Sequence, residues 1–210
     1  MLRAALFAVF LLGFFPRATS AAVSLDRLNP QEIILLKETL KALDPLITQR
    51  KKAGDAPLFT FDELYASLTA EKVAFMEEIR HLDPAVLKGS NRKLPLPPAD
   101  TLFVRLNRQV ALQEGKRIRM DTQFLPMPVC EAYLRMMAAM EEDLGKRLLV
   151  ESGYRSPAYQ LYLFIFYMPK HDHSIRETNR FVALPGCSEH GSPQFQAIDF
   201  VTPEGINGED

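Results

Sequence analysis

Ser188-Glu189-His190, followed by Ala197-Ile198-Asp199-Phe200, is the stretch on which the reading of this chain turns. Residues Gln196 to Val201 alternate and are rich in apolar side chains, which predicts a strand. With a period of two, Ala197, Asp199 and Val201 share one face, and Ile198 and Phe200 the other. A carboxylate flanked by apolar positions needs a partner, because burying an unpaired charge is expensive; a metal ion and an arginine both qualify. A neutral imidazole and a carboxylate are donors of the kind zinc accepts. His190 by itself, in a polar run after a Pro-Gly turn, reads as a surface residue; Asp199 in an otherwise apolar strand is what raises the functional reading.

Upstream, Leu148-Leu149-Val150 predicts a short buried strand running into the turn Gly153-Tyr154-Arg155. Ser156-Pro157 then opens a helix through Tyr159, Tyr162, Leu163 and Phe166. Arg155 thus falls at a strand end, where ligand-binding groups are commonly displayed. Its guanidinium suits a carboxylate, which a substrate or a surface side chain would supply equally well. Gln160 lies on the first turns of the helix, facing either a ligand or solvent. His171 and His173, two apart in Lys170-His171-Asp172-His173, would suit a metal if extended, or belong to a solvated loop. Cys130 and Cys187 are the only cysteines; they either pair, as export permits, or serve as small buried hydrophobes. They lack Cys-x-x-Cys spacing, and no nucleophile elbow, P-loop or dinucleotide fingerprint is present.

The remaining chain reads as mostly helical before residue 98 and mixed after it. Arg3, the apolar run Ala4–Phe15 and the small residues at 18–22 form a secretory leader, too short to span a bilayer. Its cleavage leaves about 188 residues, enough for one domain with a core. Without Arg3 and Arg17 the 25 basic residues fall to 23, against 26 acidic ones. No basic surplus points to nucleic acid, and no polybasic run points to a membrane surface. Asn29-Pro30 starts a helix with Ile33, Leu36, Leu40, Leu43 and Ile47 on one stripe. Thr60 with Glu63 predicts a capping box, and Glu71 to His81 a further helix ending at Lys88–Asn91. Leu94-Pro95-Leu96-Pro97-Pro98 is extended, either a joint between two regions or a surface loop. Leu102 to Met120 reads as short strands or loops. Pro128 to Leu144 is a helix closed by Gly145. Ser174 with Glu177 opens a helix to about Val182, Leu184–Cys187 is a turn, and 203–210 a loop.

At Glu151-Ser152-Gly153-Tyr154-Arg155-Ser156, Gln160, Pro185-Gly186-Cys187-Ser188-Glu189-His190 and Ala197-Ile198-Asp199-Phe200, the sequence resembles the zinc D-alanyl-D-alanine carboxypeptidases of the VanY type. The resemblance implies an α+β fold, a small antiparallel sheet with packed helices, over residues 99–210. A leader at 1–22 and a helical region at 23–98 precede it. It implies zinc held by His190 and Asp199, Arg155 as a catalytic and substrate-contacting residue, and Gln160 and Ser188 as substrate contacts. The implied substrate is a peptidoglycan stem peptide ending in D-Ala-D-Ala, met in the periplasm or outside the cell.

Two departures from the family pattern carry expectations of their own. Eight residues separate His190 from Asp199, a wider gap than in Ser-x-His-x-x-Gly-x-Ala-x-Asp. The family's Glu-x-x-His, general base and third zinc ligand, has no counterpart after Asp199; only Glu204, Glu209 and Asp210 follow as acidic residues, and no histidine. The expectation is therefore a carboxypeptidase-type chain that stops short of that segment. The alternative is an inactive peptidoglycan-binding or structural exported protein, in which His190 and Asp199 hold each other. His171 or His173 as a substitute third ligand is the remaining expectation.

Overall fold

The computed structural model describes residues 23–87 and 92–204. The expected leader at 1–22, the expected helix end at 88–91 and most of the loop expected at 203–210 lie outside the described residues. Three helices open the chain: α1 (Pro30–Ala53), α2 (Phe61–Tyr65) and α3 (Ala70–Arg80). Each starts where a side chain satisfies an orphan amide. Asn29 accepts from the Glu32 amide at 2.9 Å while Glu32 accepts from the Asn29 amide at 2.6 Å. Thr60 and Glu63 repeat that reciprocal box, and Thr69 caps α3. α1 stops at Gly54, whose amide returns to the carbonyls of the last turn.

Four short strands follow: β1 (Phe103–Leu106), β2 (Val110–Gln113), β3 (Lys116–Arg119) and β4 (Gln123–Pro126). β1 pairs antiparallel with β4, and the β2–β3 hairpin is inserted between them. Glu114 and Gly115 at its tip both take positive φ, the backbone of a tight hairpin turn. Next come α4 (Met127–Leu144), β5 (Leu149–Ser152), α5 (Pro157–Tyr167), α6 (Ile175–Thr178) and β6 (Asp199–Val201). β5 and β6 pair antiparallel, with a bulge between Val150 and Ser152. The ladders are stitched by side chains. Gln109 donates to the Val150 carbonyl at 2.9 Å and accepts from the Val150 amide at 2.8 Å, imitating a strand on the edge of β5. The fold class is the α+β arrangement expected: helices around small antiparallel pairs.

Two apolar clusters hold these elements. The larger joins Leu36 and Leu43 of α1, Leu64 of α2, Met76 and Ile79 of α3 and Leu161, Phe164 and Ile165 of α5, all fully buried. Burying each such side chain contributes about 1.5–3 kcal/mol. The smaller surrounds Leu125, Cys130 and Val150, with Ile198 and Phe200 packed on it from the β6 side. Cys130 and Cys187 are both free thiols, each buried, as the small-hydrophobe reading has it.

Local differences from the expected elements have physical causes. α6 is only four residues long, because the chain turns at Asn179–Phe181 before reaching Val182. β6 begins at Asp199 rather than Gln196, since Pro193–Phe195 winds into a 3₁₀ turn first.

Candidate functional site

Arg155, His190 and Asp199 meet at one end of the β5–β6 pair. Arg155 lies in the loop between β5 and α5, and Ser156 fixes that loop. The Ser156 hydroxyl donates to the Phe59 carbonyl at 2.7 Å and accepts from the Tyr159 amide at 3.1 Å, capping α5. Its amide donates to the Pro57 carbonyl at 2.8 Å. His190 lies on the 3₁₀ turn Glu189–Gly191, and Asp199 is the first residue of β6, opposite Ser152. The bulge in β5 lets Ser152 pair with Asp199 and turns the strand end toward Arg155.

The Arg155 and His190 segments clamp each other. The Arg155 amide donates to the His190 carbonyl at 2.9 Å, and His190 Nδ1 lies 3.0 Å from the Gly153 carbonyl. A carbonyl only accepts, so Nδ1 carries the proton and Nε2 of the neutral ring presents a lone pair. This close approach needs glycine at two places. A Cβ on Gly153 would fall 2.3 Å from the Phe124 carbonyl oxygen, and one on Gly191 would fall 3.1 Å from that of Arg155.

His190 Nε2 points at Asp199 Oδ2, 3.4 Å away, and Arg155 Nη2 lies 3.5 Å from the same oxygen. Burial, and then the Arg155 charge, push the His190 pKa down despite Asp199. Burial likewise lowers that of Arg155, against the pull of Asp199. Asp199 itself is half exposed, its side chain 53 % accessible. The expectation of a carboxylate trapped between apolar neighbours is corrected on this point: Asp199 is the first residue of β6 and lines an open cleft. Ile198 and Phe200 do share the inward face, as period two requires.

That cleft has a volume near 920 Å³. Its lining includes Glu151, Arg155, Ser188, Glu189, His190 and Asp199. Ser188 is buried there, two residues before the imidazole. Gln160 also lines it and is only 2 % exposed, so the solvent-facing reading is excluded. Its Nε2 donates to the Ala183 carbonyl at 2.8 Å, and its Oε1 is buried with no protein partner. The lining also includes residues that no motif singled out: Lys51 and Gly54 at the end of α1, Arg119 to Thr122 from the last residue of β3 onward, and Tyr167 and Phe181. Only the fold brings these to the cleft.

His190 and Asp199 fit half of a zinc site. Two zinc ligands at about 2.0–2.1 Å across a tetrahedral angle stand about 3.3 Å apart, close to the separation found. The bond from Nδ1 to a backbone carbonyl is the usual support for an imidazole that ligates through Nε2. Among the described residues no third histidine, cysteine, aspartate or glutamate joins them in a metal-binding group. The expectation that His171 or His173 completes the set is thereby corrected. His171 stacks on Phe181, and His173 donates its amide to the Met168 carbonyl and accepts at its own carbonyl from Leu28.

Residues 123–207 match the model of the VanY family, D-alanyl-D-alanine carboxypeptidase. The matched region contains all the motifs on which the resemblance rests, from Glu151 to Phe200, and leaves α1–α3 and β1–β3 outside it. No curated protein and no solved structure matches the chain. Among the described residues no helix is long and apolar enough to cross a membrane.

Proposed function

We propose that this VanY-type chain is an exported zinc-dependent carboxypeptidase-type protein that takes peptidoglycan stem peptides ending in D-Ala-D-Ala. One observation carries the reading. Two lone-pair atoms, His190 Nε2 and Asp199 Oδ2, converge at 3.4 Å in the lining of a cleft, beside a guanidinium. Two acceptors held at that distance call for a cation between them, and burial works against supplying it as imidazolium.

In this reading His190 and Asp199 hold zinc, which when bound acidifies a water and polarises a carbonyl. Arg155 is largely buried, with 20 % of its side chain accessible, and it faces the cleft. Its five donors suit the substrate's terminal carboxylate or the scissile carbonyl. Ser188 adds a hydroxyl at the same end. The Gly153 carbonyl keeps the His190 proton on Nδ1, so the Nε2 lone pair stays available.

A second reading has an observation of its own. Arg155 and His190 both approach the same oxygen of Asp199, so the three groups also form a self-contained network that could grip a peptide carboxylate without metal. Calorimetry separates the two. The zinc reading expects saturable zinc binding that falls about a hundredfold in His190→Ala and Asp199→Ala. It also expects Arg155→Ala to keep zinc and lose a D-Ala-D-Ala pentapeptide. Unchanged zinc affinity in both ligand variants overturns it. Peptide binding that is indifferent to zinc, with no alanine released, supports the binding-module reading.

A further inference from the structure

Phe181, just after α6, is 71 % exposed and lines the same cleft as Arg155, His190 and Asp199. One face of its ring is covered. The imidazole of His171 lies parallel to it, with centroids 4.6 Å apart and planes 5° from coplanar. This stack fixes the plane of an aromatic ring whose remaining surface is open, so a ligand meeting it pays little ordering entropy. The chain around the pair is polar: Lys170 and Asp172 flank His171, and Arg180, paired to Glu177 at 3.0 Å, precedes Phe181. Tyr167, with Lys170 Nζ 4.7 Å from its ring centroid, lines the same cleft.

An exposed flat ring flanked in sequence by charged side chains is poorly suited to an apolar helix, which needs a large contiguous apolar patch. It suits a flat molecule that is apolar on its face and polar around its edge. A pyranose is such a molecule: its C–H face lies on the π system and its hydroxyls reach neighbouring donors and acceptors. The cleft, near 920 Å³, is at the upper end of the range for ligand pockets and has room for more than a terminal dipeptide. We propose that Phe181, backed by His171, is a sugar-stacking platform that holds the glycan carrying the stem peptide while the peptide end occupies the cleft. The identity of that glycan rests on the peptidoglycan reading above; the platform requires neither zinc nor turnover.

Two titrations test it on the full chain. The first compares a disaccharide-pentapeptide with the free pentapeptide. The expected result is roughly three- to tenfold tighter binding of the glycosylated ligand, with that advantage lost in Phe181→Ala, kept in Phe181→Trp and reduced in His171→Ala. Phe181 is exposed, so Phe181→Ala leaves the fold intact. An equal advantage in Phe181→Ala, or none in the native chain while the peptide binds, overturns the platform. The second uses N,N′,N″-triacetylchitotriose alone and reads the platform even where no peptide binds. Binding to the native chain but not to Phe181→Ala supports it, whatever the fate of the peptidase reading. No binding to either overturns it, as does a change in self-association on Phe181→Ala with no change in sugar binding.

Discussion

The hydroxyl of Ser156 donates to the carbonyl of Phe59 at 2.7 Å, across 97 residues of sequence. The residue that caps α5, next to Arg155, is thereby tied to the connection between α1 and α2. The Ser156 amide adds a second tie, to Pro57. The helical region outside the family match therefore sets the position of the arginine inside it.

Ser156→Ala tests that coupling. It removes an N-cap, about 1 kcal/mol, and leaves the Phe59 carbonyl without its side-chain partner, about another 1 kcal/mol. For a chain of this size a total of about 2 kcal/mol lowers the melting temperature by roughly 4–8 °C. Calorimetric melting checks it; a shift no larger than that of an exposed Ser→Ala control shows that the tie contributes nothing.

Gly153→Ala strikes closer to the site. The new methyl would meet the Phe124 carbonyl oxygen at 2.3 Å, and that oxygen already accepts from the Tyr154 amide at 2.6 Å. Relief requires a backbone shift, at about 1–3 kcal/mol. The same shift moves the Gly153 carbonyl off His190 Nδ1, so zinc affinity falls by about tenfold or more. Denaturant unfolding and zinc titration give the two readouts. A variant that is destabilised yet binds zinc as the native chain does would separate the strain from the imidazole.

These contacts also mark what the sequence can and cannot disclose. Asn29, Thr60, Ser156 and Gly145 are readable as helix ends, because a cap and the backbone group it pairs with lie within about one helical turn. Arg155, His190 and Asp199 were readable as types and in order, and the structure brings them together. The pairing of Ser156 with Phe59 and of Gln109 with Val150 had no local trace, since each joins distant segments by a bond that many serines or glutamines could make. Asp199 is half exposed despite its apolar neighbours because it is the first residue of β6 and the chain turns at Pro193–Phe195 just before it. Phe181 carried no sequence signal at all; only its parallel stack on His171 distinguishes it.

Gln160 separates a positioning role from direct contact with a ligand. Its Nε2 holds the Ala183 carbonyl, and Ala183 starts the run through Pro185–Cys187 to Ser188 and His190. Gln160→Ala should cost about 1–2 kcal/mol by leaving that carbonyl unpaired. It should also speed amide hydrogen exchange at Cys187 and Gly191, whose amides bond within this segment. Weaker peptide binding with unaltered exchange at those amides would instead assign Gln160 to the ligand.

Alkaline pH acts on the tyrosines beside the site. Burial pushes the hydroxyls of Tyr154 and Tyr159 from 10 up to about 12. A pKa raised in the folded state means that the unfolded chain gives up its proton first. The stability these groups contribute is thus complete below pH 10 and is lost as pH rises through about 12. Denaturant midpoints measured on either side of that window should fall with pH, and Tyr154→Phe should flatten the fall by removing one of the two groups. Tyrosinate absorbance in the folded native chain should show a class titrating near 12, diminished in the variant. Should all the tyrosines ionise together near 10 with the fold intact, the burial of Tyr154 against Phe103, and with it the packing behind Arg155, would be refuted.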